Sequence, residues 1–240
     1  MNQGFNVLLL CLLIPCNSVF AQPVIVINTT GNPPLNTPEQ TGFLDAVAQE
    51  AFIRIGYTLK TVKLPAERGL RNTNAGIEDG EMSRIAGLEK IYTNLIKVPE
   101  KIMDWEFVVF SNKPIELVNG WSSLGNKSLT YINGWKILEN NIPASANVTR
   151  ARTAEQMFSL LEKNRVDYII YEHWGGLLLS KTHNLNSLKL RRPPLATREM
   201  FIYLHKKHEN LVSKLAESLR QMKLDGKYQQ IKNEILKPLE

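Results

Sequence analysis

The sequence predicts an α/β fold made of two units, and three observations support this prediction. Strand-like and helix-like segments alternate from Pro23 to Gly76, the same alternation starts again after Pro114, and a long amphipathic helix covers 211–222. Alternation of this kind indicates parallel strands joined by helical crossovers, because two parallel strands cannot be joined by a tight turn. The second start indicates a second unit of the same construction.

Each element of the first unit has its own sequence signal. The run PVIVINTT predicts a short buried strand, and the turn-rich GNPPLNTPEQ follows it. Apolar residues at i+4 steps predict a helix over 42–55, which Gly56 ends. YTLKTVKL alternates as a strand does, and PAERGLRNTNAG predicts a short helix with Pro65 at its start and Gly76 at its end.

The second unit is predicted in the same way. WEFVVFSNKP, SLTYING, VDYIIYE and REMFIYLHKK predict strands. Thr153 and Gln156 form a capping box at the start of a helix. We therefore expect the chain to cross between two lobes twice, near 108–114 and 195–200, rather than to form one sheet that runs through both halves.

Residues 1–21 have the features of a secretory signal peptide. They contain no charged side chain, they include the apolar run VLLLCLLI, and they end with Val19 and Ala21 at positions that suit signal peptidase. The apolar run is too short for a membrane span, which needs about 20 residues. Both cysteines lie in this segment, so the mature chain would have no disulfide or cysteine-ligated metal. We predict cleavage after Ala21 and a periplasmic location.

Composition and motifs argue against several classes of function. The net charge is +6, but Lys and Arg are scattered and form no basic cluster interleaved with aromatic residues. This pattern indicates a solvated basic surface and argues against nucleic acid as a partner. No Gly-rich phosphate loop is present, His205 and His208 have no third ligand nearby, and GWSSLG has one residue too many for a nucleophile elbow. We predict no cofactor, no metal site and no catalytic residue.

Five segments in order resemble one family of proteins. They are NPPL, TGFLDAVAQEAFIRIGY, AGIEDGE, RTAEQMFSLLEKNRVDYIIYE and LVSKLAESLRQMKLDGKYQQI. In this order they resemble the family 3 extracellular solute-binding proteins, the periplasmic amino-acid-binding components of ABC importers. The resemblance implies a two-lobed, periplasmic-binding-protein-like fold of type II, with a ligand cleft between lobes joined by two crossing strands. It places lobe 1 at 22–110 plus 197–240 and lobe 2 at 111–196.

The resemblance also implies where a ligand would bind. The aromatic residue that the family carries after Pro-Pro is Leu35 here, and the family's Thr-x-x-Arg segment is absent, so Arg84 is the remaining candidate to hold a carboxylate. The family's acidic ligand for an amino group corresponds to Glu172. Arg84 and Glu81 lie at i, i+3 on a predicted strand and should point to opposite faces. We expect Arg84 to face the cleft; the alternative is a surface pair with Glu81 or Glu89.

Three further residues complete the predicted binding site. Tyr171 and Trp174 flank Glu172, so one of them could stack on a ligand. Arg68 lies in the second helix and either reaches inward or stays on the surface. For Trp174 the alternative role is core or hinge packing. His173 either lines the cleft or caps a strand.

These observations predict a monomeric periplasmic protein that binds a small polar, amino-acid-like ligand and delivers it to the membrane permease of an ABC importer. One alternative is a ligand-sensing module that acts on a membrane receptor kinase. Another is a cyclohexadienyl-dehydratase-like enzyme on the same scaffold, with Glu172 or His173 as its general acid. In an open cleft we expect Arg84 and Glu172 to be hydrated, and to contribute to binding rather than to folding.

Overall fold

The computed structural model describes residues 22–185 and 187–240, and the predicted signal peptide, residues 1–21, lies outside them. The strands in the described residues are β1 (Val24–Thr29), β2 (Thr58–Lys63), β3 (Gly80–Arg84), β4 (Leu95–Ser111), β5 (Ser128–Ile132), β6 (Asn147–Ala151), β7 (Tyr168–Glu172) and β8 (Lys189–His205). The helices are α1 (Phe43–Ile53), α2 (Ala66–Asn74), α3 (Lys136–Asn141), α4 (Ala154–Glu162), α5 (His173–Thr182), α6 (Glu209–Leu224) and α7 (Lys227–Ile235). None of these helices is long and apolar enough to cross a membrane.

Local sequence signals set the ends of several elements. α1 begins after Gly42, whose amide donates to the Asp45 side chain at 3.1 Å. α4 begins after Thr153, whose hydroxyl accepts a hydrogen bond from the Gln156 amide at 3.2 Å, which confirms one half of the predicted capping box. The Gln156 side chain accepts from the Arg152 amide instead of the Thr153 amide. Gly226 separates α6 from α7 with a φ of +82°, a conformation in which a residue with a side chain would be strained.

The strands are hydrogen-bonded in the order β2-β1-β3-β8-β4-β7-β5-β6. β1 lies parallel to β2 and β3, and β5 lies parallel to β6 and β7. Between these groups run β4 and β8, which have 17 residues each and pair antiparallel from Leu95 with His205 to Ser111 with Lys189. The expectation that no single sheet would run through both halves is therefore wrong, because the two crossing strands bond to each other along their whole length.

The two lobes nevertheless have separate apolar cores. In the first, α1 and α6 pack on one face of the sheet around Phe43 and Phe52. In the second, one cluster forms around Phe107 and another around Phe158 on α4. Trp174 at the start of α5 packs into the first cluster, so α5, which follows β7, connects the two lobes. The architecture is the predicted two-lobed α/β fold, and the predicted residue boundaries of the lobes stay a prediction.

Candidate functional site

A cavity of about 680 Å³ lies between the lobes, where strands from both of them end. From lobe 1 it is lined by Asn32, Pro33, Leu35, Pro65, Arg84 and Ile85. From the opposite side it is lined by Phe107 of the crossing strand β4 and by Trp135, Ile137, Tyr171, Glu172 and Gly175 of lobe 2. The volume is within the range of small-molecule sites, and the carboxyl ends of strands are where open α/β sheets bind ligands.

A β-bulge at Ser83 decides where Arg84 points. Glu81 pairs with Tyr203 of β8 and Arg84 pairs with Phe201, so β3 has one residue more than its partner over this stretch. Ser83 has a φ of +62°, a left-handed conformation that is uncommon for residues other than glycine. The extra residue brings Arg84 to the side of Glu81. The prediction that these two side chains point to opposite faces is therefore wrong.

Glu81 and Arg84 form a buried ion pair in the cavity wall. The Arg84 Nε donates to Glu81 Oε1 at 2.6 Å, and Arg84 Nη2 contacts the same oxygen. The Glu81 side chain is 0% exposed and that of Arg84 is 14% exposed. Burial raises the pKa of Glu81 to about 7, although the neighbouring guanidinium acts in the opposite direction. Arg84 thus lies in the cavity wall and is paired with Glu81 at the same time.

Glu172 is the last residue of β7 and caps the start of α5. Its Oε1 accepts from the Trp174 amide at 2.9 Å, and its Oε2 accepts from the Gly175 amide at 2.7 Å. Burial raises the pKa of Glu172 to about 7, even though these two donors favour the carboxylate. The expectation that Arg84 and Glu172 would be hydrated is not met in this structure, because both are largely buried and both make structural hydrogen bonds.

The chain is similar to known proteins in fold more than in sequence. No family model matches it. An uncharacterized protein of Shewanella oneidensis is 25% identical over 198 residues, which cover 79% of this chain and 74% of that protein. The substrate binding protein of an amino acid ABC transporter has a TM-score of 0.67 at 18% identity, over 89% of this chain and 99% of that chain.

Two further solved structures have the same architecture. The GluR0 ligand binding core in complex with L-glutamate has a TM-score of 0.74 at 12% identity, over 89% of this chain and 98% of that chain. A histidine kinase sensor domain with similarity to periplasmic binding proteins has a TM-score of 0.68 at 14% identity, over 90% of this chain and 96% of that chain. The chain has the periplasmic-binding-protein fold.

Within the periplasmic-binding-protein fold, the predicted site residues divide into two groups. The cavity between the lobes is lined by Arg84, Glu172, Leu35 and Tyr171. Arg68 and Trp174 do not line it. Arg68 is exposed on α2. Trp174 packs in the core of lobe 1 and stacks on His173, with 4.3 Å between ring centroids.

Sequence reasoning included Tyr171 but missed two aromatic residues that stand beside it in the cavity wall. Trp135 stacks on Tyr171 with ring centroids 5.1 Å apart, and Phe107 meets Trp135 edge-on at 5.8 Å. We define the aromatic wall as these three residues, all of which line the cavity. The signal that could have found Trp135 is its position just beyond the carboxyl end of β5, where open α/β sheets bind ligands.

His173 belongs to a different cavity. It lies beside a second cavity of about 410 Å³, with its Nδ1 3.3 Å from Glu106 Oε2 on β4. Burial lowers the pKa of His173. Of the two residues predicted as possible general acids, Glu172 alone lines the cavity between the lobes. In residues 22–185 and 187–240, no group of three or more His, Cys, Asp or Glu side chains is placed to hold a metal ion.

Proposed function

We propose that this protein is a periplasmic solute-binding protein that captures a small, amino-acid-like solute and releases it unchanged. The observation that carries the proposal is the cavity between the lobes, with Arg84 in one wall and Glu172 in the other. Charge-assisted hydrogen bonds to such groups contribute about 1.5–3 kcal/mol each. Two of them would give a polar ligand much of its specificity.

The two crossing strands support a closing motion around the ligand. β4 and β8 are long, continuous strands shared by both lobes, and their pairing register shifts between Phe107 and Val109. Closure of two lobes about a few hinge residues is a common response to a ligand. A ligand that contacts both walls of the cavity at once would favour the closed arrangement, because only that arrangement offers both sets of contacts.

We propose the membrane permease of an ABC importer as the partner, in line with the amino acid ABC transporter protein that shares the fold. Signalling through a receptor kinase is the second candidate, and the kinase sensor domain with the same fold favours it. Uptake assays in a strain that lacks this protein distinguish the two. Loss of uptake supports import, whereas intact uptake with a lost transcriptional response supports sensing.

The experiment that tests binding is a thermal-shift screen of amino acids, amines and organic acids, followed by calorimetric titration of the hits. A ligand that binds only the folded protein at 100 times its Kd stabilises it by about 2.7 kcal/mol. Mass spectrometry of the recovered ligand tests the enzyme alternative. The buried Glu172 has the raised pKa that a general acid needs, and a chemically changed ligand would show that it acts as one.

A further inference from the structure

The two walls of the cavity differ in their balance of charge. In lobe 1, the guanidinium of Arg84 bonds to Glu81, which is fully buried, so the positive charge is matched within the wall itself. In lobe 2, Glu172 accepts only backbone amides, and no cation among the described residues pairs with it. Lys63 lines the cavity from an exposed position, where its Nζ donates to Asn32 Oδ1 at 2.5 Å. Lys63 also has no carboxylate partner among the described residues, but it is exposed, so the buried charged group that lacks an oppositely charged partner is the carboxylate of Glu172.

The aromatic wall lies next to this carboxylate. Phe107 of β4 pairs directly with Glu172 of β7 across the antiparallel ladder, so their side chains are neighbours. Trp135 stands edge-on to Phe107 and stacks on Tyr171. The faces of aromatic rings attract cations, and tryptophan does so most strongly. A carboxylate beside such a wall is complementary to an ammonium group whose carbon skeleton packs on the rings.

We propose, on the basis of the proposed binding function, that the ligand is a primary amine with an apolar body and without a carboxylate. The ammonium group would bind Glu172, and the body would pack on the aromatic wall. A ligand carboxylate at the opposite wall would meet an arginine that already has a buried anionic partner in Glu81. Arg84 has further N–H groups, so carboxylate binding at that wall is the competing outcome that the experiment decides.

The test compares each amino acid with the amine that remains when its carboxylate is removed. The pairs are phenylalanine with 2-phenylethylamine and leucine with 3-methylbutylamine, titrated calorimetrically into the mature protein. We expect each amine to bind at least about tenfold more tightly than its parent amino acid. N-acetyl-2-phenylethylamine keeps the apolar body but loses the charge, and it should not bind.

Two substitutions test the assigned roles. Glu172→Gln keeps an oxygen that can cap α5 and removes the charge, so amine binding should weaken about thirtyfold or more. The control Glu39→Gln, at an exposed site outside the cavity, should leave amine binding unchanged. Trp135→Leu should weaken amine binding about tenfold, and Trp135→Phe should retain most of it. Circular dichroism melts establish that each variant is folded. The comparison of amines with amino acids uses the unaltered protein and does not depend on the variants.

The outcomes separate this inference from the proposed function. If the amino acids bind more tightly than their amines, the inference is wrong and the proposed function stands. If neither class binds, the inference is wrong, and the wider thermal-shift screen alone decides the proposed function. If the amines bind as tightly to Glu172→Gln as to the unaltered protein, the carboxylate is not the recognition group and the inference is overturned.

Discussion

Replacing Arg84 by alanine would leave the buried Glu81 without the one cation that pairs with it among the described residues. Without Arg84 the pKa of Glu81 would rise above its present value of about 7, and protonating the carboxyl group at pH 8 would then cost about 1.4 kcal/mol, so we expect Arg84→Ala to lose about 2–3 kcal/mol of unfolding free energy at pH 8. At pH 5 the loss should fall to about 1 kcal/mol, the value of an ordinary hydrogen bond. The reason is that the pKa of Glu81 is already about 7, so its carboxyl group is protonated at pH 5 with or without Arg84.

The assay is urea denaturation of the unaltered protein and the variant at both pH values. The double variant Glu81→Gln with Arg84→Ala should be more stable at pH 8 than Arg84→Ala alone, because no carboxylate is left unpaired. Arg71→Ala removes an exposed ion pair with Glu67 and should cause no measurable change. An equal loss at pH 5 and pH 8 for Arg84→Ala would show that Glu81 is not a charged partner, and the reasoning would fail.

Three further predictions concern stability. Burial raises the pKa of Glu81 and of Glu172 to about 7, above the unfolded value, so the folded state binds these protons more tightly. The two groups should lower the unfolding free energy by roughly 5 kcal/mol from pH 5 to pH 8, about 2.5 kcal/mol each, and a double glutamine variant should show a smaller fall in urea melts. Gly176→Ala should lower the unfolding free energy by about 1–3 kcal/mol, because the alanine Cβ would lie 2.2 Å from the Phe110 ring. This clash should outweigh the better helix propensity of alanine, and an unchanged or higher melting temperature would contradict the prediction. Trp174→Ala should lower the unfolding free energy by about 3–5 kcal/mol in chemical denaturation and leave ligand affinity unchanged, because the side chain packs in the core of lobe 1. Weakened binding by the folded variant would show that Trp174 belongs to the binding site after all.

Signals that depend on neighbouring residues were sufficient to predict much of the fold. The periodic helix over 42–55 is observed as Phe43–Ile53, and the cap at Thr153 is present. The bulge at Ser83 was not predictable in this way, because its positive φ follows from pairing with β8, far away in sequence. The same distance explains why β4 was predicted too short: its first half is a strand because β8 pairs with it.

The candidate site was predictable as residues but not as contacts. Glu172 was identified at the end of a predicted strand, whereas its hydrogen-bond donors belong to α5, which begins HWGG and has no clear helical start signal. Arg84 was identified as well, but its partner depended on the bulge. Sequence spacing gave the positions of the charged groups along the chain, and tertiary pairing determined which of them neutralise each other.

The shared strand β8 also constrains the order in which the chain can fold during synthesis. β3 has β1 on one side and β8 on the other, and Tyr203 of β8 donates to the Ile85 carbonyl across 118 residues of sequence. Until β8 emerges, β3 is an unpaired sheet edge, which is a surface prone to association with other chains. Such distant pairing is also slow, since the intervening loop must close before any contact stabilises it. A nascent chain that stops before residue 189 therefore leaves lobe 1 incomplete, and the last quarter of the sequence controls when β3 and the strands that pair with it become native.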